Sequence, residues 1–214
     1  MSQRNAAERI PRTPIRFGTD GWRAVIADEF TFANLERVAQ AYADFLNQQQ
    51  HESRAADADE GTPHVVVGYD RRFLSDKFAE RAAEVLHGNG IGVAMFDTDV
   101  PTPLVSWAVR ERGAAGGVVI TASHNPAEFN GFKIKASWGG SAKRETTAAV
   151  EALVDAQPPR RSDLPSESRG GLEDSIKSYR AQIASYVDLE RLRRADAHVV
   201  VDPMHGTGGR WVES

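Results

Sequence analysis

The chain has 214 residues, is 41% hydrophobic and 26% charged, and carries a formal net charge of −4, which suits one complete folded domain plus part of another. There is no basic excess and no interleaving of basic and aromatic residues, so a general nucleic-acid surface is excluded, although a few local cations can still bind an anion. The absence of cysteine removes disulfides, thiolate nucleophiles and Cys-based zinc sites together. No apolar run approaches a membrane span, and the polar segment Met1–Pro14 lacks the apolar core of a signal peptide. These features predict a soluble cytoplasmic protein with neither nucleic acid nor membrane as a partner.

Residues 1–14 read as a loose leader. Phe17-Gly18-Thr19-Asp20-Gly21-Trp22-Arg23 follows, a glycine-flanked turn that ends on an arginine. From Thr31 the apolar positions Phe32, Leu35, Val38, Ala39, Tyr42, Phe45 and Leu46 fall three and four apart. That spacing predicts a helix capped by Thr31 and fading near Gln50, then a polar loop from His51 to Pro63.

His64–Tyr69 contains Val65-Val66-Val67 and predicts a buried strand. Asp70-Arg71-Arg72 comes next and can bind an anion or fix its own loop through Asp-to-backbone and Arg-to-carboxylate contacts. Ser75 is expected to cap a helix carrying Phe78, Ala82, Val85 and Leu86, closed by His87-Gly88-Asn89-Gly90. A strand is expected at Gly92–Phe96, and Thr102-Pro103 reads as a cap plus first-turn proline opening a helix that stops before Gly113.

Gly117–Ile120 predicts a third strand running into Thr121-Ala122-Ser123-His124-Asn125-Pro126. Asn130-Gly131 reads as a turn into the alternating strand Phe132–Lys135, with a helix from about Ala142 to Asp155. Alternating strands and helices indicate a three-layer α/β/α domain over 15–155, and the short Asn130-Gly131 link implies an antiparallel pair, hence a mixed, mostly parallel sheet. Residues 156–172, rich in Pro, Ser and Gly, read as a linker. Over 173–214 the pattern predicts a helix near Glu173–Val187, a buried strand at His198–Val201 and the turn Asp202–Gly209, the beginning of an incomplete second α/β domain.

Ser123 is the foremost chemical candidate, because it follows a buried strand where α/β sheets gather ligands. A phosphorylated serine there needs cations, and Arg23, Lys133 and His124 can supply them if the loops converge. Each also has a plainer reading. Ser123 can cap a turn before Pro126, His124 can be a turn residue, Lys133 can lie on a solvated strand face, and Arg23 can pair with Asp20 or Asp28. Asp202–Gly209 lacks the endings of phosphate- and dinucleotide-binding glycine loops and reads as a tight turn. No carboxylate or histidine cluster has metal-ligand spacing.

Taken together, Phe17–Arg23, Thr121–Pro126 with Phe129-Asn130-Gly131-Phe132-Lys133, and Asp202–Gly206 resemble three motifs of the α-D-phosphohexomutase superfamily, in its bacterial phosphoglucomutase/phosphomannomutase group. The resemblance implies a four-domain enzyme that interconverts hexose 1-phosphates and 6-phosphates through a phosphoserine and a bisphosphorylated intermediate. It makes Ser123 the phosphoryl carrier and Mg²⁺ ligand through its phosphate, Arg23 and Lys133 the basic residues beside it, and His124 and Asn125 their loop neighbours. A hexose bisphosphate is the implied activator, hexose phosphates the substrates, and a homodimer is possible. The family's Asp-rich metal loop, sugar loop and C-terminal phosphate loop do not occur in this sequence, so the expectation is a chain inactive alone. Phosphoglucosamine mutase and a non-catalytic sugar-phosphate binding module are the alternatives.

Overall fold

The structure, a computed structural model, describes residues 13–55, 62–196 and 198–212. Most of the expected leader, residues 1–12, lies outside them, as do residues 56–61 of the loop expected from His51 to Pro63. One sheet of five strands forms the middle layer: β1 (Gly21–Val25), β2 (His64–Tyr69), β3 (Gly92–Met95), β4 (Gly116–Ile120) and β5 (Phe129–Ala136). Their order across the sheet is β1-β5-β4-β2-β3. β2 pairs in parallel with β3 and β4, whereas β5 pairs antiparallel with β4 and β1. The three-layer α/β reading with a mixed sheet therefore holds.

The sheet is covered on both sides. Helices α1 (Phe32–Ala55), α2 (Ser75–Gly88) and α4 (Arg144–Ala152) pack on one face, and α3 (Thr102–Glu111) and α5 (Glu173–Ser185) on the other. The Val65-Val66-Val67 run shows why β2 is apolar throughout: Val65 and Val67 join the α1/α2 core while Val66 joins the α3 core. Phe132 and Ile134 of β5 face α1, where the Phe132 ring meets Tyr42 edge-on at 6.2 Å between centroids. The first core is closed at β1 by Trp22, stacked on Phe30 at 4.7 Å.

Several local expectations change. Gly21–Val25 is a strand, not an extended turn, and it completes the sheet edge by pairing with β5. Close approach requires glycine there, since a Cβ on Gly21 would stand 2.2 Å from the Phe132 carbonyl oxygen. Asn130-Gly131 is no turn either. It lies inside β5, and the link between the antiparallel strands is the serine loop itself. A Cβ on Gly131 would meet the Thr121 carbonyl oxygen at 2.6 Å, so this glycine serves strand packing.

Thr31 does cap α1, its Oγ1 accepting the Asn34 N–H at 3.2 Å, but the helix continues through Gln50 to Ala55. Ser75 is the first residue of α2 and does not cap it; its hydroxyl donates to Asp70 instead. Pro101, not Thr102, precedes α3, so Pro103 sits one place deeper in the first turn. His198–Val201 is not a strand. Val199, Val200 and Val201 are 78%, 94% and 51% exposed, because no neighbouring strand among the described residues offers them a ladder.

The Pro- and Ser-rich segment 156–172 runs along the body of the domain. The Arg160 N–H donates to Gln40, the Gly170 N–H donates to the Met95 carbonyl, and Leu172 is buried in the α3 core. α5 then packs on α3 through Ile176 and Tyr179, and Trp107 Nε1 donates to the Ser178 hydroxyl at 2.8 Å. Two short helices follow, α6 (Leu189–Arg194) and α7 (Gly209–Val212), and Trp211 of α7 lies edge-on to Tyr179.

Burial decides where substitutions hurt. Phe132→Ala, at a fully buried ring, is expected to cost about 3–5 kcal/mol. Val200→Ala, at a side chain left in solvent, should change stability by less than about 0.5 kcal/mol. Urea unfolding followed by circular dichroism measures both.

Candidate active site around Ser123

The topology itself selects the place. From β2 the chain passes through α2 on one face to β3, then through α3 on the opposite face to β4, on the other side of β2. The crossover directions therefore reverse between β2 and β4. Open α/β sheets bind ligands beyond the carboxyl ends of the strands at such a switch point. The segment after β2 is Asp70-Arg71-Arg72 and the segment after β4 carries Ser123.

Ser123 is exposed at the tip of its loop and has a left-handed backbone, φ 59°. For a residue with a side chain this costs roughly 1–2 kcal/mol, which the surroundings must supply. The Ser123 N–H donates to Thr121 Oγ1 at 3.0 Å, and Thr121 Oγ1 donates in turn to Asp70 Oδ2 at 2.6 Å. The His124 Nδ1 lies 3.4 Å from the Ser123 hydroxyl.

Arg72 holds the loop. Its Nη1 donates to the carbonyls of Pro126 (2.7 Å) and Phe129 (2.9 Å), and its Nη2 to those of Asn125 (2.6 Å) and Ser123 (3.0 Å). Asp70 orients this arginine, with Oδ2 3.3 Å from its Nε and Oδ1 accepting its backbone N–H at 3.0 Å. Asp70 Oδ1 also accepts from the Ser75 hydroxyl, which accepts from the fully buried Asn130 Nδ2. The Asp-to-backbone and Arg-to-carboxylate contacts expected of Asp70-Arg71-Arg72 are present. The larger use of Arg72, four carbonyls of another loop, lies outside that expectation. The trace of this network in the sequence is the Asp70-Arg71-Arg72 motif itself, while the part played by the buried Asn130 has no local signal.

The remaining site residues come from the antiparallel edge. In the β1–β5 register Gly21 lies opposite Lys133 and Arg23 opposite Gly131, which places Arg23 and Lys133 on the same face. Asp20 joins them: its Oδ2 is 2.7 Å from Lys133 Nζ and its Oδ1 3.3 Å from an Arg23 Nη2. Arg23 Nη1 then donates to Asn125 Oδ1 at 3.0 Å. Of the two acids considered for Arg23, Asp20 is the one it pairs with, and it reaches the serine loop as well. Burial pushes the Asp20 carboxyl up, but the hydrogen bond and charge of Lys133, with the charges of Arg23 and Lys135, outweigh it and hold the group below its ordinary value. Lys135, two residues beyond Lys133 on the same strand face, is buried; desolvation first, and then the charge of Lys133, lower its pKa.

Of the five residues expected at the site, Ser123, His124 and Asn125 lie in the loop, Arg23 reaches it through Asn125, and Lys133 joins at one remove, through Asp20 and Arg23. The serine loop opens on a cleft of about 720 Å³ whose other walls are Arg71, Phe73, Thr102 and the turn Met204–Thr207. Arg23 and Lys133 are not among the residues lining this cleft. Among the described residues no three His, Asp or Glu side chains converge as a metal centre. No helix among the described residues is long and apolar enough to cross a membrane.

The profile of the family described as phosphoglucomutase/phosphomannomutase, alpha/beta/alpha domain I, matches residues 14–161. The chain belongs to this family. A phosphoglucomutase/phosphomannomutase of Thermococcus kodakarensis is 33% identical over 90% of this chain and 40% of its own length. A phosphoglucosamine mutase of Levilactobacillus brevis is 33% identical over 89% of this chain and 41% of its own. A crystal structure from Thermus thermophilus, described as a phosphomannomutase, shares 41% identity at a TM-score of 0.71, covering 84% of this chain and 37% of that one. The chain spans about two fifths of the length of these relatives.

Two outcomes test this geometry. Arg72→Ala leaves four loop carbonyls and Asp70 without their cation, so stability should fall by roughly 2–3 kcal/mol and amide exchange at Asn125 and Phe129 should speed up. Asp20 titrates lower folded than unfolded, so its contribution is present above the unfolded pKa and is lost as pH falls through the folded value. Melting temperature should therefore drop below about pH 4, with a smaller slope in Asp20→Asn.

Proposed function

We propose that this chain is the phosphoserine-bearing part of a hexose-phosphate mutase, with Ser123 as the phosphoryl carrier. The observation that carries the reading is a solvent-exposed serine held in a left-handed turn by an arginine that grips the loop backbone. Phosphoryl transfer asks for position and charge compensation more than for covalent chemistry by the protein. A serine whose backbone is fixed at a switch point, with Arg23 tied to its loop through Asn125 and Lys133 tied to Arg23 through Asp20, suits both needs.

In the proposed reaction a hydroxyl of the sugar phosphate attacks the phosphorus on Ser123. The bond from phosphorus to the sugar oxygen forms as the bond to the serine oxygen breaks. The proton released by the hydroxyl ends on the serine oxygen, and Lys133, 2.7 Å from Asp20, is the residue assigned to pass it. The bisphosphorylated sugar then turns and returns its other phosphoryl group to Ser123 by the same step reversed, so a 1-phosphate becomes a 6-phosphate. Arg23, fixed to both Asp20 and Asn125, is assigned to offset negative charge at the serine loop, and His124, with Nδ1 3.4 Å from the Ser123 hydroxyl, is assigned to contact the phosphoryl oxygens.

Mg²⁺ does not find a full set of ligands among the described residues. Ser123, through its phosphate, is the one contact this chain is assigned, and no step above depends on the ion. The sugar loop and the acidic loop implied by the family resemblance are absent from the sequence, so glucose and mannose are both retained as substrates. The relatives named as phosphoglucosamine mutases favour a second reading in which the substrate is an amino sugar phosphate.

Incubation with radiolabelled hexose bisphosphate should label Ser123, and Ser123→Ala should take no label. Arg23→Gln and Lys133→Met should label at least ten-fold more slowly, since each removes a charge interaction of about 1.4 kcal/mol or more in the transition state. Steady turnover of glucose 1-phosphate by the 214-residue chain should be negligible beside that of a full-length relative. Labelling of Ser123→Ala equal to the unsubstituted chain would sink the carrier assignment.

A further inference from the structure

The cations around Ser123 are not equivalent. The Arg72 guanidinium is engaged by four carbonyls and Asp70. Arg23 is engaged by Asp20 and Asn125, and Lys133 by Asp20. These groups shape the loop, and their donors already face protein acceptors. Arg71 differs. It lines the same cleft as Ser123, Thr121 and His124, is exposed, and makes no hydrogen bond or ion pair among the described residues.

Its surroundings aim it at the cleft. Its neighbour Arg72 is tied back into the serine loop, and the following Phe73 and Leu74 turn the chain outward, Phe73 being 70% exposed and Leu74 left-handed at φ 59°. Across the cleft Nη1 of Arg71 approaches the backbone of Gly209, next to the turn Met204–Thr207. The other titratable groups lining the cleft are Asp70, already bonded to Thr121, Ser75 and Arg72, and the exposed rings of His124 and His205. No carboxylate in the cleft competes for Arg71. A planar five-donor fork with uncommitted donors is suited to a tetrahedral dianion.

We propose that Arg71 holds the phosphoryl group on Ser123, as the one guanidinium of the cleft whose donors are uncommitted among the described residues. The assignment rests on the reading of Ser123 as the phosphoryl carrier. It gives the two adjacent arginines different roles, since Arg72 positions the loop and Arg71 contacts what the loop carries. Phosphorylation then changes the state of Arg71 from solvated to paired and draws it, with the lip of the cleft, over the serine.

The test uses phosphoserine installed at position 123 of the 214-residue chain during translation, its second ionisation followed by phosphorus NMR at low ionic strength. Phosphoserine without a cationic neighbour titrates near pH ~6. A guanidinium beside it favours the dianion and lowers that value. The unsubstituted chain should titrate below ~6. Arg71→Gln should raise the value by about one unit, the low end of the shift an adjacent arginine gives a carboxylate. Arg71→Lys should fall between, because a point charge replaces a bidentate fork. Arg193→Gln, on α6 and outside the cleft, should match the unsubstituted chain. An Arg71→Gln titration that coincides with that of the unsubstituted chain, or a shift of equal size in Arg193→Gln, overturns the assignment. The separate labelling of Ser123 by a hexose bisphosphate decides the carrier reading, so the two failures are distinguishable.

Discussion

The serine loop closes only part of its own hydrogen bonding, with the Asn125 N–H on the Ala122 carbonyl and the Phe129 N–H on the Pro126 carbonyl. Here Arg72 supplies the missing donors. It reaches from the end of β2 across to the loop after β4 and bonds four carbonyls there, while Asp70 fixes its own direction. Asp70 is shared further, with Thr121 at the start of the loop and with Ser75 at the start of α2. The left-handed backbone of Ser123 is thus held by groups from three separate elements. A turn fixed in this way gives the Ser123 hydroxyl a constant position without burying it, as the proposed carrier role requires.

The other half of the site depends on the sheet edge. β1 and β5 run antiparallel at close approach, with Gly21 and Gly131 at the points where a side chain would strike the opposite backbone. That approach brings Arg23 and Lys133 to a single carboxylate, Asp20. Two strong cations on one acid leave a positive excess beside the serine, and the nearby buried Lys135 adds to it. The acid prevents the cations from repelling each other apart, and the excess is available to an anion. Desolvation works against ionised Asp20, yet its carboxyl stays below its ordinary value because the cations prevail.

The parts of this arrangement that are legible in the sequence are those written in local pattern. Val65-Val66-Val67 reads as a strand buried on both faces because it is apolar throughout, and the apolar spacing from Phe32 to Leu46 reads as a helix. Ser123 stands out through its place after a strand, and family resemblance ties the two distant motifs to it. Features decided by contacts far along the chain are not legible in this way. Gly21–Val25 follows a glycine-flanked polar stretch and looks like part of a turn, but pairing with β5 makes it a strand. Asn130-Gly131 carries the local signature of a hairpin turn, but pairing with Ala24 and Arg23 of β1 overrides it. Asp20 is legible as a partner for Arg23 three residues on, but its bond to Lys133, which lies far along the chain, is not.

His198–Val201 shows the same principle with the opposite outcome. Three valines in a row carry strong strand propensity, and the structure leaves them exposed and outside any sheet. Propensity alone does not make a strand, because its backbone groups require a neighbour to bond. The residues that follow do have neighbours. Trp211 lies against Tyr179 of α5 and beneath the Arg180 guanidinium, and Gly209 lies beside Arg71. The turn Met204–Thr207 is thereby carried to the cleft of Ser123, although no backbone hydrogen bond joins it to the serine loop among the described residues. Contact through a few side chains and an open cleft leaves that wall far less constrained than the loop gripped by Arg72. The serine therefore sits between a fixed side and a yielding one, so the cleft can widen without moving the Ser123 hydroxyl.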